Sequence, residues 1–182
     1  ALQSQINPHF LYNTLDSIIW MAEGRKYEEV VLMTASLARL LRQSISNEDE
    51  VVPLAREVEY AKGYLTIQKM RYKDKLEFEI DVEPSILNIP LIKLVLQPII
   101  ENAIYHGLKY KESKGLLQVK GFMKDGNAVL QVIDNGVGMD EETLSHIYDK
   151  HKVNYHSNGV GVYNVQKRLK LYYGENYGIT YE

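Results

Sequence analysis

Asp134-Asn135-Gly136-Val137-Gly138-Met139 puts a carboxylate at the end of an alternating apolar run and follows it at once with two glycines. A buried carboxylate there accepts from an amine or a ribose-type donor, and the glycines let the backbone approach a ligand closely. The same residues also suit an ordinary hairpin turn. Gly159-Val160-Gly161 follows a polar stretch and opens a helical pattern. That arrangement turns backbone N–H groups and the positive end of a helix dipole toward phosphate, although a Gly-x-Gly is also a flexible helix entry. Between these signals and the N-terminus lies Gln97-Pro98-Ile99-Ile100-Glu101-Asn102. At about 100° per residue, Asn102, His106 and Lys109 fall within roughly 40° of one another, with Ile100, Ala103 and Ile104 on another face. One polar face then gathers an amide, an imidazole and an ammonium. An amide oxygen suits Mg²⁺, which keeps most of its water and its phosphates, but such a face is also what a solvated amphipathic helix presents.

A second centre of interest is His9 in Gln5-Ile6-Asn7-Pro8-His9-Phe10-Leu11-Tyr12-Asn13-Thr14-Leu15. Helical geometry places Gln5, His9, Asn13 and Asp16 on one face and Leu11, Leu15, Ile18 and Ala22 on the other. His9 is therefore expected to face solvent from a rigid element, with Asn13 one turn further along.

The elements that must position these residues divide in two. The apolar periods of Leu11 to Ala22 and of Val30, Met33, Leu37, Leu40, Leu41 and Ile45, separated by a turn at Gly24 to Tyr27, predict an antiparallel helical hairpin. Its two short helices bury little by themselves, which favours pairing with a second copy as a four-helix bundle. The polar stretch from Ser46 to Glu50 marks the boundary, giving domains over 1–47 and 51–182. Beyond it, Pro53 opens a helix to about Lys73 and Leu76 to Val82 alternates as a strand. Ile92 to Leu108 reads as an apolar helix. Leu116 to Lys124 and Ala128 to Asp134 flank the turn signal Asp125-Gly126. A short helix over Asp140 to Asp149, a polar loop over His151 to Asn158, a helix over Gly161 to Tyr173 and a last strand starting at Ile179 to Tyr181 complete the reading. The predicted class is α+β, helices on one face of a mixed sheet behind an N-terminal hairpin.

With 182 residues and 45% hydrophobic composition, both units can build a core. The absence of cysteine excludes disulfides and thiolate metal sites and favours a reducing compartment. A net charge of −3 with scattered lysines does not suggest a nucleic-acid partner. Apolar runs such as Leu94 to Ile100 are far shorter than a bilayer span. The chain opens on Ala in mid-pattern and reads as an excised cytoplasmic fragment.

The order of the three ligand-directed segments resembles the N, G1 and G2 boxes of the ATP-binding fold shared by gyrase, Hsp90, MutL and histidine kinases. The segment around His9 resembles the phosphoacceptor box of the autolysin-regulator (LytS/YesM-like) sensor histidine kinases. Leu41-Arg42, Tyr64-Leu65 through Arg71, Pro98 to Leu108 and Asn164 through Gly174 extend this resemblance over nearly the whole chain. It implies a Bergerat-type sandwich in which Asn102 ligates Mg²⁺, Asp134 accepts from the adenine amine, and Gly136 and Gly138 shape the pocket. His106 and Lys109 would serve ATP binding, and Gly159 and Gly161 would sit in a lid formed with His151 to Asn158. The implied activity is autophosphorylation of His9 by Mg-ATP, followed by transfer to an aspartate of a response regulator. The implied assembly is a homodimer through the N-terminal helices, below an upstream segment that anchors the parent in the bacterial cell membrane. Asn13 occupies the place associated with phosphatase activity toward the regulator.

Two departures stand out. In the largest kinase class an acid follows the phosphoacceptor, whereas here Phe10 does; where the ATPase branch carries a water-activating Glu, this chain has Pro98. Pro98 argues against an ATP-driven clamp of the gyrase or Hsp90 type. Intact His9, Asn102 and Asp134 argue against a degenerate, non-catalytic module. Glu101 remains a candidate base or outer-shell metal group, and the resemblance implies a final strand pair that is expected to lie beyond Glu182.

Overall fold

A computed structural model describes residues 7–45, 50–108, 111–146 and 159–182. Helix α1, Pro8–Glu23, starts where Asn7 Oδ1 accepts the His9 N–H at 3.0 Å and Pro8 takes the first position, where no N–H is needed. Arg25, with φ of 57°, then turns the chain into α2, Tyr27–Ile45.

The inward face of α1 differs from the expected stripe. Phe10, Thr14 and Met21 are buried, with Leu11 and Ile18 packed alongside, whereas Ala22 is exposed and Leu15 is 42% exposed. Both faces have helical period, and packing decides between them. Phe10 lies 4.8 Å from the Tyr64 ring, centroid to centroid, and Thr14 becomes buriable because its hydroxyl donates to the Phe10 carbonyl at 2.7 Å. Helix α2 follows expectation, burying Met33, Leu37 and Leu40.

Strand β1, Val51–Pro53, leads into α3, Leu54–Tyr72, whose buried face carries Leu54, Ala61, Tyr64, Leu65 and Ile67. The hairpin packs on this helix, so Phe10, Leu37 and Leu40 belong to the same core as Leu65, Ile100 and Leu117. Strand β2, Leu76–Val82, pairs in parallel with β4, Gly115–Lys124, which pairs antiparallel with β5, Asn127–Asp134. The β4–β5 turn holds Asp125 at φ 50° and Gly126 at φ 78°, the two positive values a type I′ hairpin requires. Strand β3, Pro90–Ile92, pairs antiparallel with β1. Helices α5, Glu141–His146, and α6, Gly159–Tyr173, complete the elements. The result is an N-terminal helical region followed by a mixed α/β unit in which helices flank the β2-β4-β5 sheet, the architecture the resemblance implies.

Two further expectations are corrected. The helix read from Ile92 begins at Leu96 as α4, Leu96–Asn102, because Ile92 is held in β3 and Leu94 adopts φ of 62°. It then continues as a π-helical turn over Ala103–Leu108. Ile179 to Tyr181 forms no strand; the Ile179 N–H donates to Gln166 Oε1 at 2.6 Å, and its side chain joins the cluster of Ile92, Val95, Val165 and Leu169. That bond satisfies the backbone locally and removes the need for a sheet partner.

Candidate functional site

The segment Leu96–Leu108 is where the sequence signals converge. Its start is fixed by Glu57, a 7% exposed carboxylate on α3. Glu57 accepts from the backbone N–H groups of Leu94, Val95 and Leu96 at 2.8, 2.9 and 2.9 Å. These are donors that a helix start otherwise leaves unpaired, and a carboxylate there also complements the helix dipole. Sequence reading missed Glu57. The available signal was a charge in phase with the apolar stripe Leu54, Ala61, Leu65, a position that demands a buried partner.

Two residues into α4, Pro98 faces Gly161 of α6: a Cβ placed on Gly161 would meet Pro98 Cβ at 3.2 Å. Gly159 is the first residue of that helix, so the pair occupies its opening turn. At the far end, Gly107 abuts the strand-ending carboxylate, and a Cβ there would stand 2.5 Å from Asp134 Oδ1. A Cβ on Gly136 would collide with the Gly107 carbonyl, and the Val137 N–H donates to that same carbonyl at 3.1 Å. Gly107 is thus a second residue that sequence reading passed over.

Asp134 is exposed, contrary to the burial expected of it; it ends β5, an edge strand of the three-stranded sheet among the described residues. Its Oδ1 accepts the Gly136 N–H at 2.9 Å, which fixes the carboxylate rotamer. Asn135 ties the turn to the neighbouring strand, accepting from the Leu116 N–H at 2.7 Å, and the Lys111 ammonium donates to its carbonyl. Gly138 has φ of 71°, and no atom would crowd a Cβ there. Exposed Val137 and Met139 flank it. Asn102 is half-buried and His106 exposed. Lys109 and the expected lid over His151 to Asn158 lie outside the described residues.

The other side of the same segment meets α1. His9 is exposed, and its Nδ1 lies 3.1 Å from the Tyr105 hydroxyl. The Asn13 amide nitrogen lies 3.1 Å from Nδ1 and 3.0 Å from Nε2. Glu101 accepts from Gln97 Nε2 at 2.8 Å; burial raises its carboxyl above the usual range, and this hydrogen bond opposes the rise. Burial first, and then the Glu101 carboxylate, push the Tyr64 hydroxyl well above the ordinary phenol range. Asn102 and Glu101 therefore serve different neighbourhoods, Glu101 being the one near Tyr64 and Tyr105.

The donor set fits a purine nucleotide and a hard cation. A fixed carboxylate beside exposed apolar side chains suits an amine-bearing ring. Among the described residues no group of three or more His, Asp or Glu is placed to hold a metal, so a cation at Asn102 would draw most of its ligands from phosphate and water, as Mg²⁺ does.

The chain belongs to the family of histidine kinase-, DNA gyrase B- and HSP90-like ATPases, whose model matches residues 88–181. Ahead of it, residues 1–76 match the histidine kinase family, so the chain is a domain pair of histidine-kinase signalling type. Within that class it is similar to the sensor histidine kinase YesM of Bacillus subtilis (strain 168), at 36% identity over 179 residues, 98% of this chain and 30% of the relative. It is also similar to the sensor protein LytS of Oceanobacillus iheyensis, at 34% identity over 96% of this chain and 30% of the relative. A third relative is the sensor histidine kinase YpdA of Escherichia coli (strain K12), at 33% identity over 96% of this chain and 30% of the relative. The chain spans 30% of the length of each of these relatives. Among the described residues no helix is long and apolar enough to cross a membrane.

Proposed function

We propose that this chain is the catalytic part of a LytS/YesM-type sensor histidine kinase of a two-component system, transferring the γ-phosphoryl group of Mg-ATP to His9 and from there to an aspartate of a response regulator. The observation that carries the reading is the convergence on one helical segment: Tyr105 touches exposed His9 on one side, while Gly107 abuts Asp134 on the other. In this reading residues 1–47 are the phosphoacceptor and dimerisation unit and 51–182 the ATP-binding unit. Asp134 accepts from the adenine amine, Gly136 and Gly138 shape its pocket, and Asn102 holds Mg²⁺, which supplies charge neutralisation on the phosphates. His106, Lys109, Gly159 and Gly161 serve the phosphate side. Glu101, whose carboxyl burial raises above the usual range, is the candidate base or outer-shell metal group. The chain contributes position and charge complementarity, the two terms that dominate phosphoryl transfer. His9 also stands in the first turn of α1, where the helix dipole favours an added anion. The parent protein is proposed to be anchored in the bacterial cell membrane upstream of this piece. Incubation with Mg-[γ-³²P]ATP is expected to label the wild type and to leave His9→Gln unlabelled; equal labelling of both removes His9 from the role.

The dimer is assigned to the faces of α1 and α2 that the fold leaves outside. Ile19 and Trp20 are each 57% exposed, and Val31 and Leu32 are 68% and 53% exposed. Leu37, expected at this interface, is instead spent within the chain. The double substitution Ile19→Glu, Leu32→Glu is expected to turn a dimer into a monomer in sedimentation without loss of helicity, and an unchanged sedimentation coefficient rules these faces out.

Asn13 is proposed to support dephosphorylation of the regulator. Its amide reaches the edge of the His9 ring, and an amide both donates and accepts, which suits holding a water in line without adding negative charge. Asn13→Ala is expected to lose this activity toward a prephosphorylated cognate regulator while keeping His9 autophosphorylation. Equal dephosphorylation by both proteins ends the assignment.

A further inference from the structure

A neutral imidazole offers one N–H and one lone pair, and which nitrogen carries which decides where it attacks. In this chain the residue after the phosphoacceptor is Phe10, 1% exposed against Tyr64, so it supplies no polar group to His9. The polar neighbours of the ring come from elsewhere. Tyr105, from the π-helical turn, sets its hydroxyl 3.1 Å from Nδ1, with the two rings 6.0 Å apart and tilted by 51°. Asn13 sets an amide nitrogen 3.0 Å from Nε2 and 3.1 Å from Nδ1.

We infer that Tyr105 is the positioning residue of His9: its phenolic oxygen accepts the Nδ1–H, fixing the tautomer in which the Nε2 lone pair is the nucleophile. This rests on the kinase reading above and names the group that orients its nucleophile. The hydroxyl occupies the approach to Nδ1, which leaves Nε2 as the nitrogen open to an incoming phosphoryl group and selects this arrangement over its reverse. The Asn13 contact is shared between both nitrogens and is therefore readily displaced by an incoming phosphoryl group.

The phenol stays neutral while it does this. Burial raises the Tyr105 hydroxyl above its ordinary value, Arg71 opposes that rise, and Tyr72 and Glu101 add to it. In the step itself, Nε2 forms a bond to the γ-phosphorus while the bond from that phosphorus to the β,γ-bridging oxygen breaks, its electron pair leaving on ADP. The ring gains positive charge, Nδ1 holds its proton in the hydrogen bond to the Tyr105 oxygen during the transfer, and the proton leaves afterwards to the candidate base Glu101 or to water. The Nδ1–H···O bond is stronger in the charged transition state than in the ground state, so it lowers the barrier without tightening ATP.

The test is Tyr105→Phe, which keeps the ring and its packing and removes the hydroxyl alone. In nucleotide-free protein at about pH 9, above the reference imidazole range near 6.5, ¹⁵N spectroscopy of His9 is expected to show Nδ1 protonated in the wild type. In Tyr105→Phe the proton should redistribute toward Nε2. The autophosphorylation rate is expected to fall roughly tenfold, the equivalent of one neutral hydrogen bond, with KM for ATP unchanged. A wild-type ring protonated mainly on Nε2, or a Tyr105→Phe protein with unaltered tautomer and rate, overturns the inference and leaves the kinase reading standing. A wild type that takes up no phosphate overturns both.

Discussion

Asp134→Asn is expected to weaken ATP binding about ten- to a hundredfold, following from the loss of one charge-assisted hydrogen bond of about 1.5–3 kcal/mol. The geometry explains why the near-isosteric change is costly. Asp134 Oδ1 already accepts the Gly136 N–H at 2.9 Å, so an asparagine keeps its oxygen there and turns its amide nitrogen toward the ligand. A donor then faces the donor amine of adenine. Turning the amide over restores that contact and sets a donor against the Gly136 N–H instead. The exposure of Asp134 keeps the cost to the fold small, so calorimetry on a folded variant reads the binding term alone. Unchanged affinity would remove Asp134 from the adenine site.

Glu57→Ala is expected to destabilise the fold strongly. It leaves the N–H groups of Leu94, Val95 and Leu96 without their acceptor, two of them fully buried. The loss of such a cap with buried donors stranded is on the order of 3 kcal/mol. For a chain of this size that corresponds to a fall in melting temperature of roughly 6–12 °C. Glu57→Gln retains one accepting oxygen and should lose distinctly less. Because the cap sets where α4 begins, ATP affinity should fall in Glu57→Ala as well, through Asn102, although Glu57 is not itself proposed to bind the nucleotide. A melting temperature within a degree or two of wild type would show that the helix start is held by something else.

Local patterns carried much of this fold in legible form. Asp125-Gly126 announced the hairpin because a type I′ turn needs two positive φ values, and alternation over Leu76 to Val82 announced β2 because a half-buried strand has period two. The turn at Asp134 to Gly136 was legible for the same local reason. What escaped was decided by partners distant in the chain. Phe10 turned α1 inward because Tyr64 awaited it, and no periodicity distinguishes that face from the one bearing Leu15 and Ile19. Glu57 relocated the start of α4 by bonds spanning nearly forty residues. Tyr105 sits between Ile104 and His106 and reads as one more aromatic on an apolar helix until His9 arrives from 96 positions away. Gly107 was invisible for the same reason, since its need for a missing Cβ is created by Asp134 and Gly136. The π-helical turn that carries both residues has no sequence signature comparable to a cap or a hairpin turn, and such turns recur at functional sites.

The central claim is that His9 is the nitrogen nucleophile of a phosphoryl transfer, and the chemical nature of the product bond tests it most directly. After incubation with Mg-ATP, peptide mapping under neutral conditions combined with acid and alkali challenge is expected to place one phosphoryl group on His9. That group should be lost in acid and survive base, as a phosphorus–nitrogen bond does. A phosphoryl group that survives acid, or one that maps to any residue other than His9, would contradict it.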